Sequence, residues 1–161
     1  MISLLARLFT RGEPALGNAN TRDAAAIAHL HGASFQRGWS DGEVEQLLLS
    51  RNVCAQRITI GKKLVGFILS RLAADEAEIL SVAVAQSARG RGLAGKLLRL
   101  HLRTLAGLGV QAVFLEVGED NMSACRLYER AGFGEVGRRE GYYPRPGGAP
   151  ATALVLRRDL V

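Results

Sequence analysis

Arg89-Gly90-Arg91-Gly92-Leu93-Ala94-Gly95-Lys96 is the stretch of this 161-residue chain whose residue types speak most directly of chemistry. Glycines let a backbone approach a ligand closely. Where such a loop opens a helix, consecutive N–H groups can surround a phosphate, and here Arg89 and Arg91 add positive charge. A pyrophosphate suits that cradle, and two cofactor classes carry one. Gly90-x-Gly92-x-x-Gly95 matches the dinucleotide fingerprint literally, and Glu116 falls near where a ribose-binding acid would stand. That fingerprint should follow its strand almost directly, however, whereas Ala85 to Arg89 intervene here. Too little chain remains after Gly95 to complete the rest of such a sheet. Coenzyme A therefore ranks above NAD, and a solvated Gly-rich turn is the remaining reading of the loop taken alone.

Glu116 stands inside Val113-Phe114-Leu115-Glu116-Val117, where a carboxylate is unusual. Strands disfavour Glu, and a carboxylate taken out of water becomes a stronger base. The residue is thus a candidate general base or, more blandly, a solvated charge at a strand end. Tyr128 follows Asn121 by two helical turns, so both side chains share one helix face; a phenol there could donate a proton or simply pack in the core. Cys125 could be a nucleophile, yet no His accompanies it locally, and Cys54 and Cys125 read as structural. Two cysteines make no disulfide framework and have no metal spacing, which points to a reducing cytoplasm. His29 and His31 would face different sides of a helix and His101 is distant, so no metal site is expected.

These residues need elements to position them. Thr21-Arg22-Asp23 starts a helix reaching the Phe35 region, and Asp41 opens a second with Val44, Leu47 and Leu48 at helical steps. Trp39 lies between the two. From Val53 the period changes: Val53 to Ile60, Leu64 to Leu72 and Ala77 to Val84 read as an antiparallel meander, the first pair joined through Gly61-Lys62-Lys63. A helix from about Leu93 to Leu108 and a strand from Ala112 to Val117 follow, which implies a right-handed crossover and a parallel pair. Asn121 caps a helix through Arg130, Gly132 stops it, Phe133 to Val136 begins a strand and Ala151 to Arg158 forms the last one. Pro144 to Pro150 reads as a loop.

The chain is long enough for one domain and not two. Its hydrophobic content of 48% and charged content of 22% fit a globular protein and exclude a disordered or fibrous one. With 21 Lys plus Arg against 15 acidic residues, the net charge of +6 favours an anionic ligand or partner, although solubility alone would account for it. Met1 to Phe9 is apolar but too short to span a membrane, and it lacks a cleavage site.

Several ordered motifs resemble a known family. Arg89-x-x-Gly92-x-Ala94 is the Q/R-x-x-G-x-G/A signature of the GNAT acetyltransferases, and Ile79-Leu80-Ser81-Val82-Ala83-Val84 stands where that family has its preceding strand. Leu115-Glu116-Val117, Asn121, Leu127-Tyr128-Glu129-Arg130-Ala131-Gly132-Phe133 and Tyr142-Tyr143-Pro144 resemble the RimI group of ribosomal-protein-alanine N-acetyltransferases. Phe35 with Trp39-Ser40 is similar to that group's substrate-side segment. The likeness spans about Thr21 to Leu160 and leaves residues 1–20 poorly matched, so a single domain over 21–161 is expected.

The resemblance implies a mixed α/β fold: a central, mostly antiparallel sheet with a parallel pair splayed at the acetyl-CoA site and helices on both faces. It implies acetyl-CoA as co-substrate, with the backbone of Val82, Ala83 and Val84 pairing with the pantetheine arm. Gly90, Arg91, Gly92, Leu93, Ala94 and Gly95, beside Arg89, would hold the pyrophosphate, and Asn121 would contact the cofactor. Glu116 would be the general base and Tyr128 the general acid. The implied acceptor is a protein N-terminus, that of a ribosomal protein beginning with alanine, with no membrane and no direct nucleic-acid requirement. Tyr142 and Tyr143 would line the peptide groove. One departure bears on acceptor choice: the group usually carries an acidic residue just before the last strand, where this chain has Pro150-Ala151-Thr152. The rival readings are an acetyltransferase for a small amine or lysine, a non-catalytic basic module docking on the ribosome, and an NAD-binding oxidoreductase.

Overall fold

The computed structural model describes residues 12–143, 147–148 and 151–160; the side chains of Tyr142 and Tyr143, the Met1 to Phe9 segment and most of the Pro144 to Pro150 loop lie outside the described residues. Seven strands form one sheet: β1 (Pro14–Asn18), β2 (Val53–Ile60), β3 (Lys63–Ala73), β4 (Glu76–Val84), β5 (Ala112–Gly118), β6 (Gly134–Tyr143) and β7 (Ala151–Asp159). Among the described residues four α-helices accompany them: α1 (Ala24–Ser34), α2 (Asp41–Leu49), α3 (Leu93–Gly107) and α4 (Met122–Arg130).

The strand order is β1-β2-β3-β4-β5-β7-β6, with β4 and β5 parallel and every other neighbouring pair antiparallel. The expected mixed α/β architecture is present. One strand lies where the sequence reading had none: β1 pairs with β2 from Pro14↔Ile60 to Asn18↔Gln56, so the sheet begins ahead of Thr21. Pro-Ala-Leu-Gly-Asn carries no alternation and lies mostly exposed; it is held by backbone pairing at a sheet edge, where Pro is tolerated. β6 also runs past Val136 to Tyr143, because β7 offers it a partner over that length.

Each face of the sheet has its own core. Leu93, Leu97, Leu98, Leu102 and Leu105 recur at helical spacing on α3 and bury against Ile58, Ile68, Ile79 and Leu115. Each such leucine contributes about 2 kcal/mol by leaving water. On the opposite face, Ile27, Ala28 and Leu30 of α1 and Val44 of α2 cover Phe67, Leu69 and Ala83. β3, covered on both sides, is buried without interruption from Val65 to Ser70. β2 alternates instead, with Cys54, Gln56, Ile58 and Ile60 turned inward.

The parallel pairing of β4 with β5 holds only from Glu76↔Ala112 to Ile79↔Leu115. Where it stops, β4 carries a bulge: its register against β3 shifts between Leu69↔Ser81 and Ser70↔Ile79, leaving Leu80 as the extra residue. A bulge bends and twists its strand, so β4 leaves β5 and the V between them opens toward the start of α3.

Candidate active site

The cradle sits where β4 hands over to α3. After Val84 a short 3-10 turn over Gln86–Ala88 leads to Gly90 at φ +80° and Gly92 at φ +71°. Both are left-handed conformations that cost a residue bearing a Cβ about 1–2 kcal/mol. Gly92 is the N-cap of α3 and supplies no side-chain cap, so the positive end of a 15-residue helix faces the loop. Arg89 Nε donates to the Val84 carbonyl at 3.1 Å and braces the turn. Uncapped N–H groups, left-handed glycines and a cationic neighbour fit a pyrophosphate.

From the cradle a cavity of about 1370 Å³ extends along α3 and α4. It brings together most of the residues singled out from the sequence: Val82, Ala83, Val84, Arg89, Gly90, Gly92, Leu93, Ala94, Gly95, Asn121 and Tyr128 all line it. It also reaches Ser34 and Phe35 at the end of α1, which belongs to the other face of the sheet. The bulged end of β4, with no β5 partner beyond Ile79, therefore lies between the two sides.

Among the described residues no acid lines this cavity, whereas Lys96, Arg99, Arg103, Arg126 and Arg130 do. None of these five enters an ion pair among the described residues. Lys96 closes the cradle stretch and Arg130 falls in the Leu127-to-Phe133 motif, but the sequence alone gives none of the five a role. Their signal was present in the spacing: 96, 99 and 103 share one face of α3, and 126 and 130 one face of α4.

Tyr128 is 5% exposed, and its ring meets Phe133 edge-on at 5.6 Å. Burial, with a smaller push from Cys125, drives its phenol well above the ordinary range, so it stays protonated at neutral pH. Asn121 caps α4, its Oδ1 accepting from the Ala124 N–H at 3.3 Å. Burial raises the Cys125 thiol too, with Asp120 adding to the shift, and Sγ donates to the Gly118 carbonyl at 3.7 Å; a protonated thiol in that setting is a poor nucleophile.

Glu116 and Arg91 do not line the cavity. β5 alternates, so Val113, Leu115 and Val117 face α3 and α4 while Glu116 projects to the other side. There it pairs with Arg139 at 3.2 Å and is 22% exposed. Arg91 donates to the Gly12 carbonyl at 3.1 Å, fastening the chain ahead of β1.

One organising residue carries no signature in sequence. His31 stacks on Trp39 at 3.9 Å with an interplanar angle of 7°, its Nδ1 accepts from the Trp39 backbone N–H at 3.1 Å, and its ring lies 4.6 Å from Phe35. Burial lowers its pKa and so favours the neutral, accepting form. His31 thereby shapes the Phe35-to-Ser40 segment beside the cavity. Among the described residues there is no cluster of metal-ligating side chains and no helix long and apolar enough to cross a membrane.

The acetyltransferase (GNAT) family matches residues 24–133, more than half of the chain and the whole run from α1 to the end of α4. The chain belongs to this family. Among its curated relatives, a [ribosomal protein bS18]-alanine N-acetyltransferase from Haemophilus influenzae is 38% identical over 94 residues, covering 58% of this chain and 64% of that protein. The match thus spans just under two thirds of that relative. The Escherichia coli (strain K12) protein of the same name is 29% identical over 133 residues, covering 83% of this chain and 89% of its own. The crystal structure of the ribosomal-protein-S18-alanine N-acetyltransferase from Escherichia coli superimposes with a TM-score of 0.85 at 26% identity, covering 92% of this chain and 94% of that one. The splayed β4–β5 pair and the cradle are thus parts of a GNAT fold in this chain.

Proposed function

We propose that this protein transfers an acetyl group from acetyl-CoA to the N-terminal α-amine of a ribosomal protein, the alanine of bS18, in the cytoplasm. The observation that carries the reading is the single cavity in which the cradle, the unpaired edge of β4 and Tyr128 meet. The names of the relatives at 29% and 38% identity support the choice of acceptor.

In this reading Gly90 to Gly95 hold the pyrophosphate with Arg89, the backbone of Val82 to Val84 pairs with the pantetheine amides, and Asn121 contacts the cofactor. The cationic rim, with no acid among the described residues that line the cavity, favours so anionic a co-substrate. A neutral amine attacks the thioester carbonyl, forming the N–C bond as the C–S bond breaks. Glu116, held by Arg139, takes the amine's proton through a water, and Tyr128 protonates the departing sulfur. No acyl-enzyme is formed, in keeping with the protonated Cys125. An α-amine titrates near 8 and lysine near 10.4, so freeing a lysine at neutral pH costs roughly 3 kcal/mol more; a carboxylate base suits the α-amine.

The test is mass spectrometry of peptides incubated with acetyl-CoA and the full chain. An Ala-starting ribosomal peptide is compared with an N-terminally blocked, lysine-bearing twin. Acetylation of the free N-terminus alone supports the reading. Modification of the lysine twin, or of neither peptide when acetyl-CoA binds, moves the acceptor to a lysine or a small amine.

A further inference from the structure

A Cβ placed on Gly95 would stand 3.4 Å from Arg99 Nη1 and 4.0 Å from Leu127 Cδ1. Arg99 follows Gly95 by one turn of α3, and its side chain runs back toward the helix start, the direction that helical geometry favours. The guanidinium is therefore seated over the bare backbone of Gly95, beside Leu127 of α4, in a place that a larger side chain at position 95 would contest. Arg99 is exposed and lines the cavity, and it has no hydrogen bond or ion pair among the described residues.

The charges of α3 are placed against its own dipole. A helix is stabilised by acids in its first turn and cations in its last. In α3 no acid stands in the first turn and no cation in the last, while Lys96, Arg99 and Arg103 all come before it. Arg126 and Arg130 of α4 line the same cavity. Like charges gathered toward the positive end of a helix, without acids to pair them, repel one another in the free protein. A bound polyanion relieves that repulsion.

Coenzyme A has two separate anionic parts, the pyrophosphate at its middle and the 3′-phosphate on its adenosine end. With the pantetheine arm along β4 and the pyrophosphate in the cradle beside Arg89, the adenosine end is left the rest of the cavity, which extends along α3 and α4. That is where the unpaired cations lie. Arg99 is the one among them whose guanidinium is turned back toward the cradle, over Gly95, and a guanidinium offers a phosphate two parallel N–H donors.

We propose that Arg99 binds the 3′-phosphate of coenzyme A and so makes this protein select the phosphorylated cofactor over dephospho-coenzyme A. This rests on the acetyl-CoA reading of the cavity. Arg99 takes no part in the acetyl transfer itself, and its effect is on cofactor affinity.

The experiment is calorimetric titration of the full chain with coenzyme A and with dephospho-coenzyme A, for the parent, Arg99→Met and Arg99→Lys, with a melting temperature for each. The parent should prefer coenzyme A about thirtyfold, the worth of a charge-assisted contact. Arg99→Met should bind coenzyme A about tenfold more weakly and dephospho-coenzyme A within about twofold of the parent, so that the preference collapses. Arg99→Lys, which keeps the charge and loses the fork, should fall between them. The melting temperature without ligand should hold or rise in Arg99→Met, since a repelled cation is removed. Equal losses for the two ligands would place Arg99 at the pyrophosphate and overturn the assignment. So would unchanged affinities in Arg99→Met, or a parent that binds both ligands equally. A parent that binds neither ligand overturns the acetyl-CoA reading, and this inference with it.

Discussion

His101 Nε2, on α3, lies 2.5 Å from Ser70 Oγ, on the central strand β3, and this bond ties the helix that starts at the cradle to the middle of the sheet. The rest of the chain of bonds fixes the imidazole's tautomer. Gln56 Nε2 donates to Asn18 Oδ1 at 3.1 Å, so its Oε1 accepts from His101 Nδ1–H, and Nε2 accepts from the Ser70 hydroxyl. Asn18 lies on β1, so the edge strand and α3 are joined through the core by a network whose polar atoms are paired.

Burial of this ring lowers its pKa from 6.5 to about 4. The neutral imidazole is thus favoured in the folded protein. Its contribution to stability is complete above about pH 6.5 and is lost as the pH falls toward 4, amounting to about 2–3 kcal/mol by pH 4.5. Denaturant unfolding at pH 7.5 and pH 4.5 measures it. In His101→Gln, which has no imidazole to charge, the pH dependence should be shallower by that amount; equal dependence in both proteins would remove His101 as the source.

At the cradle, Gly92→Ala should weaken acetyl-CoA binding modestly through backbone strain at φ +71°, since a Cβ there meets nothing within 4 Å. Gly92→Glu adds a negative charge beside the helix N-terminus and should weaken binding about a hundredfold or more. Calorimetric titration separates the two. Parental affinity in Gly92→Glu would take the loop out of the site.

The cradle was readable because it is local: glycines, a helix start and cationic residues all lie within eight consecutive positions. The side on which Glu116 projects follows from strand alternation, but its partner Arg139 comes from a strand that reaches it only across β7. Arg91, read as part of the cradle, also donates to the Gly12 carbonyl, and that contact was not legible because Gly12 belongs to the chain just ahead of an edge strand with no side-chain pattern. His31 and His101 share one reason for having been given no role. What distinguishes them is burial and pairing across elements, and periodicity in sequence reports neither.

Tyr128→Phe tests the proton donor. The ring stays against Phe133 and the cavity keeps its shape, so acetyl-CoA affinity should change little while turnover falls about a hundredfold. Stopped-time assays with the peptide acceptor, run beside calorimetry on the same preparations, give both numbers. A parallel fall in affinity would make Tyr128 a binding residue, and equal turnover in both forms would place the donor elsewhere.

The basic rim makes a separate claim about salt. Arg103 on α3 and Arg130 on α4 both line the cavity, without ion pairs among the described residues, so their charges are available to an anionic co-substrate. Charges at a solvent-open rim are screened over about 10 Å at 0.1 M salt. The parent should therefore bind acetyl-CoA more weakly as salt rises. Reversing both arginines in Arg103→Glu/Arg130→Glu should raise the Kd about tenfold at low salt and flatten or invert that dependence, while leaving the melting temperature near the parental value because neither side chain packs in the core. An unchanged salt profile would mean that the cradle alone supplies the electrostatic attraction.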